Sequence, residues 1–201
     1  MISSNVSLGL GGNVGADLET VYLGLGANLG KSPRRAIERA LEYLEDIPEI
    51  PEDIECSKFY ITTPVYDSPQ DRENIPQDLF WNAVCRFETT LSPEELLRKT
   101  QAIQIKMGQG QKPQNAPRKI DLDIIFYGNK AVNKPDLHIP HERWNKRLFV
   151  LYPLLDLTKE IELPGGERID IEKLIQAVML ESNEIVRLWE GDGDEDEKYP
   201  D

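Results

Sequence analysis

The stretch that decides the fold is Val21-Tyr-Leu-Gly-Leu-Gly-Ala-Asn-Leu-Gly30. Residues 21–25 predict a short buried strand, and the glycine-rich residues after them predict a turn. Ser32 then offers an N-cap with Pro33 at the first helical position. Apolar residues at helical spacing predict an amphipathic helix from Pro33 to about Glu45. The chain is therefore expected to pass from a strand through a turn into a helix.

The following segments continue that pattern with two strands, a helix and a strand. Ile54–Tyr66 and Phe80–Thr89 are rich in β-branched and aromatic residues and predict the two strands. Ser92-Pro-Glu-Glu95 is a strong helix start, and the helix is expected to reach about Met107. Ile120–Tyr127 predicts the last strand. The order βαββαβ predicts an α+β, ferredoxin-like fold, in which an antiparallel sheet carries helices on one face.

The remaining segments predict connections and additions to that fold. Ser68–Gln77 is polar and contains two prolines, and Gly108–Ala116 has no periodicity, so both are expected to be loops, the second mobile. At the C-terminal end, Phe149–Leu157 predicts a strand-like piece and Asp170–Leu180 a helix.

The 201 residues predict one folded domain at 21–188. Residues 1–20 form a leader in which Val6–Gly15 echoes Val21–Gly30. The leader is open to three interpretations: a strand-like extension, an edge addition or a disordered segment. Residues 189–201 form an acidic tail without apolar residues at its centre, and we expect it to be disordered.

Composition excludes several classes of protein. The formal net charge of −13 argues against a nucleic-acid-binding surface. No apolar run approaches the length of a membrane span, and the N-terminus lacks the basic region of a signal peptide, so a cytoplasmic protein is expected. The two cysteines, Cys56 and Cys85, are expected to be free thiols, with a disulfide as the alternative.

Asp121 and Asp123 are the first candidates for chemistry. Side chains two apart on a strand point to the same face, with Cα atoms about 6.6 Å apart. Two such carboxylates suit Mg²⁺, which takes oxygen ligands and is completed by waters and substrate phosphates. The alternative is a solvated strand face. Arg118, Lys112 and Arg147 could supply cations for phosphates, which favours the metal site.

The combination of motifs resembles 6-hydroxymethyl-7,8-dihydropterin pyrophosphokinase, from about Val21 to Asp170. That family transfers diphosphate from ATP to a pterin alcohol and releases AMP in folate biosynthesis. The segments that carry the resemblance, in chain order, are Gly24-Leu-Gly-Ala-Asn-Leu-Gly30, Thr63-Pro64, Phe80-Trp-Asn82, Pro117-Arg-Lys-Ile-Asp-Leu-Asp123, Ile139-Pro-His141 and Arg147-Leu-Phe149.

The resemblance implies a role for each of these positions. Asp121 and Asp123 are expected to hold two Mg²⁺ ions with ATP, and Arg118 to act in catalysis beside them. Phe80 and Phe149 are expected to sandwich the pterin. The other expected contacts are as follows: Thr63, Pro64 and Asn82 for the pterin edge, and Gln101, Lys112, Arg118, His141 and Arg147 for ATP.

The sequence departs from the family in the loop after Gly108. Gln109 and Gln111 stand where the family usually carries arginines, and a glutamine cannot neutralise a phosphate. We expect a monomeric, ATP- and Mg²⁺-dependent diphosphokinase. The first rival is a catalytically weakened protein that binds nucleotide and pterin. The second is a ferredoxin-like interaction module that uses the acidic tail or the leader.

Overall fold

The computed structural model describes residues 18–50, 53–66, 77–108 and 117–191. Residues 1–17 of the leader, most of the Ser68–Gln77 loop, residues 109–116 and the tail beyond Gly191 lie outside those ranges. The expectations about Gln109, Gln111 and Lys112 therefore concern residues outside the described part of the chain. None of the helices within the described ranges is long and apolar enough to cross a membrane.

The described chain alternates short strands and helices. The elements in chain order are β1 Glu19–Ala27, α1 Pro33–Glu45, β2 Glu55–Cys56, β3 Tyr60–Thr62, β4 Phe80–Thr89, α2 Pro93–Lys106, β5 Asp121–Tyr127, β6 Val132–Lys134, β7 Leu137–Ile139, a 3-10 helix Trp144–Lys146, α3 Leu148–Leu157, β8 Glu160–Glu162, β9 Arg168–Asp170, α4 Ile171–Glu181 and β10 Val186–Leu188.

The main sheet has six strands in the order β10-β3-β4-β1-β5, with β2 also paired to β4. Every pairing in it is antiparallel. The first strand lies at the centre between β4 and β5, which is the arrangement expected for the βαββαβ order. The predicted α+β, ferredoxin-like fold is therefore confirmed. The hairpins β6–β7 and β8–β9 lie outside the main sheet.

Both faces of the sheet are covered. On one face, alternate β1 residues pack against buried residues of α1 and α2, such as Ile37 and Leu96. On the other face, Val84 and Ile125 pack against α3 and α4, including Leu151. The prediction that helices cover one face of the sheet holds for α1 and α2. The C-terminal helices α3 and α4 cover the opposite face.

The predicted helix starts differ in how they are capped. Ser92 accepts a hydrogen bond from the backbone N–H of Glu95, whose carboxylate accepts one from the Ser92 N–H, so the capping box is complete. Ser32 precedes α1, but its side chain makes no capping hydrogen bond. Within the described residues, its buried Oγ has no hydrogen-bond partner.

Two strand predictions are wrong. Residues 148–157 form helix α3, because this apolar segment is buried between the sheet and α4 rather than joined to a strand ladder. The predicted strand Ile54–Tyr66 is divided into β2 and β3. The division follows Ser57, whose Oγ accepts a hydrogen bond from Val84 N at 3.0 Å in place of regular pairing.

The expectation of two free thiols is also wrong. Cys56 and Cys85 form a disulfide. Because β2 pairs with β4, the two cysteines lie directly opposite each other, with Cα atoms 4.2 Å apart. The pairing of β2 with β4 brings them together across 29 residues of sequence.

Candidate functional site

A cavity of about 290 Å³ opens on the sheet face that α3 covers. Its base is formed by Gly24 and Gly26 of β1, which lie between β4 and β5 in the ladder. A Cβ atom at Gly26 would lie 3.3 Å from Asn82 Oδ1, and one at Gly24 would lie 3.2 Å from Ile125 Cδ1. The two glycines therefore leave space above the sheet that larger residues would fill.

Asp121 and Asp123 stand beside this glycine base. Asp123 pairs with Gly24 and Asp121 with Gly26, so both carboxylates point into the cavity. Burial, followed by the charge of Asp123, raises the pKa of Asp121 to about 7. Burial also raises the pKa of Asp123, against the effect of nearby arginines. Two carboxylates whose charged forms are disfavoured in this way are suited to a bound cation.

Arg118 is fixed next to the aspartates by the turn after β1. Its backbone N–H donates to Asn28 Oδ1 at 2.9 Å, and its carbonyl accepts from the N–H groups of Asn28 and Leu29, each at 3.1 Å. Its Nη1 donates to Asp121 Oδ1 at 2.9 Å. Asn28 is 3% exposed and also donates to Gln77 Oε1, at 3.0 Å. The turn that follows β1 therefore holds the arginine that faces the metal-ligand candidates.

His141, Arg143 and Arg147 also line the cavity, and the charges of the two arginines act on Asp123. The N–H of His141 donates to Ile125 O at 3.0 Å, which attaches this segment to the edge of β5. Its Nδ1 accepts from Arg143 N at 3.2 Å, so the neutral ring carries its proton on Nε2. Burial and the two arginines lower the pKa of His141 to about 4. The neutral imidazole is therefore available as a hydrogen-bond donor.

The less charged end of the cavity contains the predicted pterin contacts. Thr63, Phe80, Asn82 and Phe149 all line it. Asn82 is 4% exposed, and its Nδ2 donates to Thr62 Oγ1 at 2.9 Å, which fixes the amide and directs Oδ1 towards Gly26. A flat heterocycle with polar edges would meet apolar rings and a fixed amide here.

The structure brings together most but not all of the predicted site residues. Pro64 lies next to Thr63 but does not line the cavity. Gln101 is exposed on α2, which covers the other face of the sheet, so the structure does not bring it to the cavity. Lys112 lies outside the described residues.

Sequence reasoning missed several residues of the site. Arg143 lines the cavity, and Asn28 and Gln77 support it. Asn28 lies within the quoted glycine-rich segment, and its place directly after a strand was a signal for a turn-forming amide. No local signal marks Arg143 or Gln77.

Comparison with known proteins decides the family. A sequence model of the 7,8-dihydro-6-hydroxymethylpterin-pyrophosphokinase family matches residues 22–159. The chain belongs to the pterin pyrophosphokinase family. The predicted family membership and enzyme class are therefore confirmed, and the match covers the cavity, all of α3 and every strand of the main sheet except β10.

Individual relatives agree with this assignment. The 2-amino-4-hydroxy-6-hydroxymethyldihydropteridine pyrophosphokinase of Pseudomonas aeruginosa is 36% identical over 152 residues, covering 76% of this chain and 88% of the relative. The Haemophilus influenzae protein of the same name is 33% identical over 150 residues, covering 75% and 88%. The folic acid synthesis protein fol1 of Pneumocystis carinii is 40% identical over 149 residues, but this chain spans only 19% of its length.

Solved structures show the same fold. A Plasmodium falciparum HPPK-DHPS crystal structure superimposes with a TM-score of 0.59 at 16% identity, covering 82% of this chain and 45% of that chain. A structure described as the HPPK-DHPS in complex with substrates superimposes with a TM-score of 0.60 at 15% identity, covering 81% of this chain and 43% of that chain. The shared fold therefore covers about four fifths of this chain.

Proposed function

We propose that this chain transfers the diphosphate of ATP to the hydroxymethyl group of 6-hydroxymethyl-7,8-dihydropterin, as its family membership implies, and that the described cavity is where it does so. The observation that carries the proposal is the meeting of two carboxylates and three arginines in one cavity. In a chain with net charge −13, such a local concentration of cations favours an anionic ligand such as a polyphosphate.

Asp121 and Asp123 are proposed to hold Mg²⁺. Burial raises the pKa of both carboxyl groups despite the Arg118–Asp121 ion pair and the other nearby arginines, which fits a site for a divalent cation. In the described part of the chain, no cluster of three or more His, Cys, Asp or Glu residues is placed to hold a metal, so phosphates and water would complete the coordination. Bound there, Mg²⁺ would neutralise phosphate charge that develops during transfer.

The pterin is proposed to lie over the glycine base between Phe80 and Phe149. The fixed Asn82 amide would hydrogen-bond to the edge of the heterocycle. Thr63 lines the same cavity. In this pose the hydroxymethyl group would face the aspartates, where the phosphates of ATP would meet it. Holding two substrates in line in this way removes much of the entropic barrier to their reaction.

In the transfer step, the hydroxymethyl oxygen forms a bond to the β-phosphorus of ATP as the bond from that phosphorus to the oxygen bridging to the α-phosphorus breaks. The hydroxyl proton passes to solvent water, and AMP leaves with the bridging oxygen. Arg118, Arg147 and the Nε2–H of neutral His141 would donate to the phosphate oxygens. The protein contributes positions and charges rather than a covalent intermediate.

The test is the formation of AMP from ATP and 6-hydroxymethyl-7,8-dihydropterin in the presence of Mg²⁺. Asp123→Asn keeps the shape of the side chain and removes its charge, so we expect AMP formation to fall by at least roughly a hundredfold. Asp46→Asn is the matched control, because Asp46 is exposed at the end of α1 on the other face of the sheet.

No AMP from the parent chain would disprove the proposal, and an Asp123→Asn variant as active as Asp46→Asn would disprove the role of the carboxylate pair. Within the proposal, ATP as donor, two Mg²⁺ ions, a monomeric state and a cytoplasmic location stay predictions. So does the exclusion of nucleic acid and membrane as partners.

A further inference from the structure

Glu184 lies outside the cavity but makes contacts that reach its wall. It belongs to the short segment between α4 and β10. Its Oε2 accepts a hydrogen bond from the backbone N–H of Leu148 at 2.9 Å, and its Oε1 accepts one from Phe149 N at 2.8 Å. Ser182 Oγ in turn accepts from Glu184 N at 3.0 Å. One carboxylate therefore binds the first two amides of α3.

Those two amides have no acceptor inside the helix, because the first N–H groups of any helix lack an intrahelical partner. Arg147 occupies the N-cap position of α3, and its side chain makes no capping hydrogen bond. Its carbonyl accepts the next two amides, those of Val150 and Leu151, at 3.0 and 3.1 Å. Glu184 thus caps α3 from 36 residues away in the sequence. Burial raises the pKa of its carboxyl group to about 7, whereas the two amide hydrogen bonds and Arg147 favour the charged form.

The residue after Glu184 is attached to the opposite wall of the cavity. Ile185 N–H donates to Thr63 Oγ1 at 3.0 Å, and Thr63 N–H donates to Ile185 O at 3.1 Å. The regular pairing of β10 with β3 then begins at Val186 and Thr62. Since Thr63 and Phe149 both line the cavity, two consecutive residues of this segment connect its two walls.

We infer that Glu184 is a positioning residue for the pterin site: its carboxylate fixes the first turn of α3, and with it the ring of Phe149, at a set distance from Thr63. This inference rests on the proposed function, since it deepens the role of the same cavity. Arg147 shares the first turn, and its guanidinium carbon lies 5.2 Å from the centre of the Phe149 ring. Loss of the cap would therefore weaken the contacts of both the Phe149 ring and the Arg147 guanidinium with bound substrate.

The experiment compares pterin affinity among three variants of the full chain. Glu184→Gln retains one acceptor oxygen and turns an NH₂ group towards the second amide. We expect it to weaken the binding of 6-hydroxymethylpterin, measured by calorimetry, by roughly tenfold. We expect the same change in KM for the reduced pterin with kcat within about threefold, because the groups near the reacting atoms are retained. Glu184→Asp keeps both oxygens and should restore part of the affinity.

Glu181→Gln is the matched control, since Glu181 is exposed at the end of α4 and loses the same charge. A purely structural role would lower kcat through a smaller folded fraction and leave KM unchanged, and that result would overturn the inference. Unchanged pterin affinity in folded Glu184→Gln would also overturn it. If the parent binds pterin but forms no AMP, the proposed function fails and the binding comparison still decides the role of Glu184. A parent that binds no pterin overturns both.

Discussion

His141 shows at the scale of one residue how the cavity controls protonation. Burial and the charges of Arg147 and Arg143 act in the same direction on its imidazole and lower its pKa to about 4. A lone histidine next to a proline in the sequence gives no indication of such a shift. The arginines that produce it come from the following turn and from the start of α3.

We predict that His141 titrates near pH 4, as followed by the NMR shifts of its imidazole and assigned by comparison with His141→Gln. Between about pH 4 and pH 6.5 the unfolded chain binds the proton that the folded chain rejects. The contribution of His141 to the free energy of unfolding therefore rises with pH over this interval and is lost as pH falls through it. A midpoint near 6.5 would contradict the burial of the ring beside two arginines.

At the scale of elements, the two Ser-Pro helix starts provide a paired test of capping. Ser92 makes a full capping box at α2, whereas the Oγ of Ser32 is buried without a capping bond at α1. We predict that Ser92→Ala lowers the free energy of unfolding by about 1 kcal/mol. Ser32→Ala should leave it unchanged or raise it, because no hydrogen bond is lost.

Urea denaturation of the two variants beside the parent measures both effects. Each variant serves as the control for the other, since the same atoms are removed at the same sequence position before a helix. Equal losses of stability would show that the Ser32 hydroxyl does cap α1. A stable Ser92→Ala variant would show that Glu94 and Glu95 suffice at the first turn of α2.

The elements that the sequence predicted well are those whose pattern is local. The alternation in Phe80–Thr89 and the Ser-Pro-Glu-Glu start of α2 predicted β4 and α2 almost to the residue. Helix α3 could not be recognised, because a short run that is apolar all round has no period to separate a buried helix from a buried strand. Its cap is also supplied by Glu184, which no local pattern can reveal.

The residues of the functional site also fall into those that a local sequence pattern predicted and those that it did not. The positions of Asp121 and Asp123 on one strand face follow from their spacing, and the ladder confirms that both face the cavity. The contacts that hold the site residues in place could not be predicted from the sequence, because they join segments that are distant along the chain. The hydrogen bond between Arg118 and Asn28 is an example. The place of Gln101 was predicted from resemblance alone, and the structure leaves it on the far face of the sheet.

At the scale of the whole molecule, the Cys56–Cys85 disulfide links β2 to the centre of the sheet. We predict that the oxidised parent is more stable than Cys56→Ala by about 2–4 kcal/mol, because the bond restricts the unfolded chain. Urea denaturation should show this difference, and a reducing agent should abolish it by lowering the stability of the parent alone.

Alkylation of the denatured, unreduced parent provides the independent check, since labelling of two thiols would contradict the bond. The result also bears on location. Disulfides are rare in the cytosol, so a bond that persists in cells would argue against the predicted cytoplasmic location.

The alternation along β1 has a consequence for how this protein tolerates change. Val21, Leu23, Leu25 and Ala27 point into the core beneath α1 and α2, whereas Gly24 and Gly26 form the base of the cavity. A saturation library across residues 21–27 should therefore contain two interleaved sets of positions. Substitutions at the four core positions should reduce the amount of folded protein. Those at the two glycines should leave abundant protein that no longer binds its substrate, so loss of binding and loss of folding would arise from neighbouring codons.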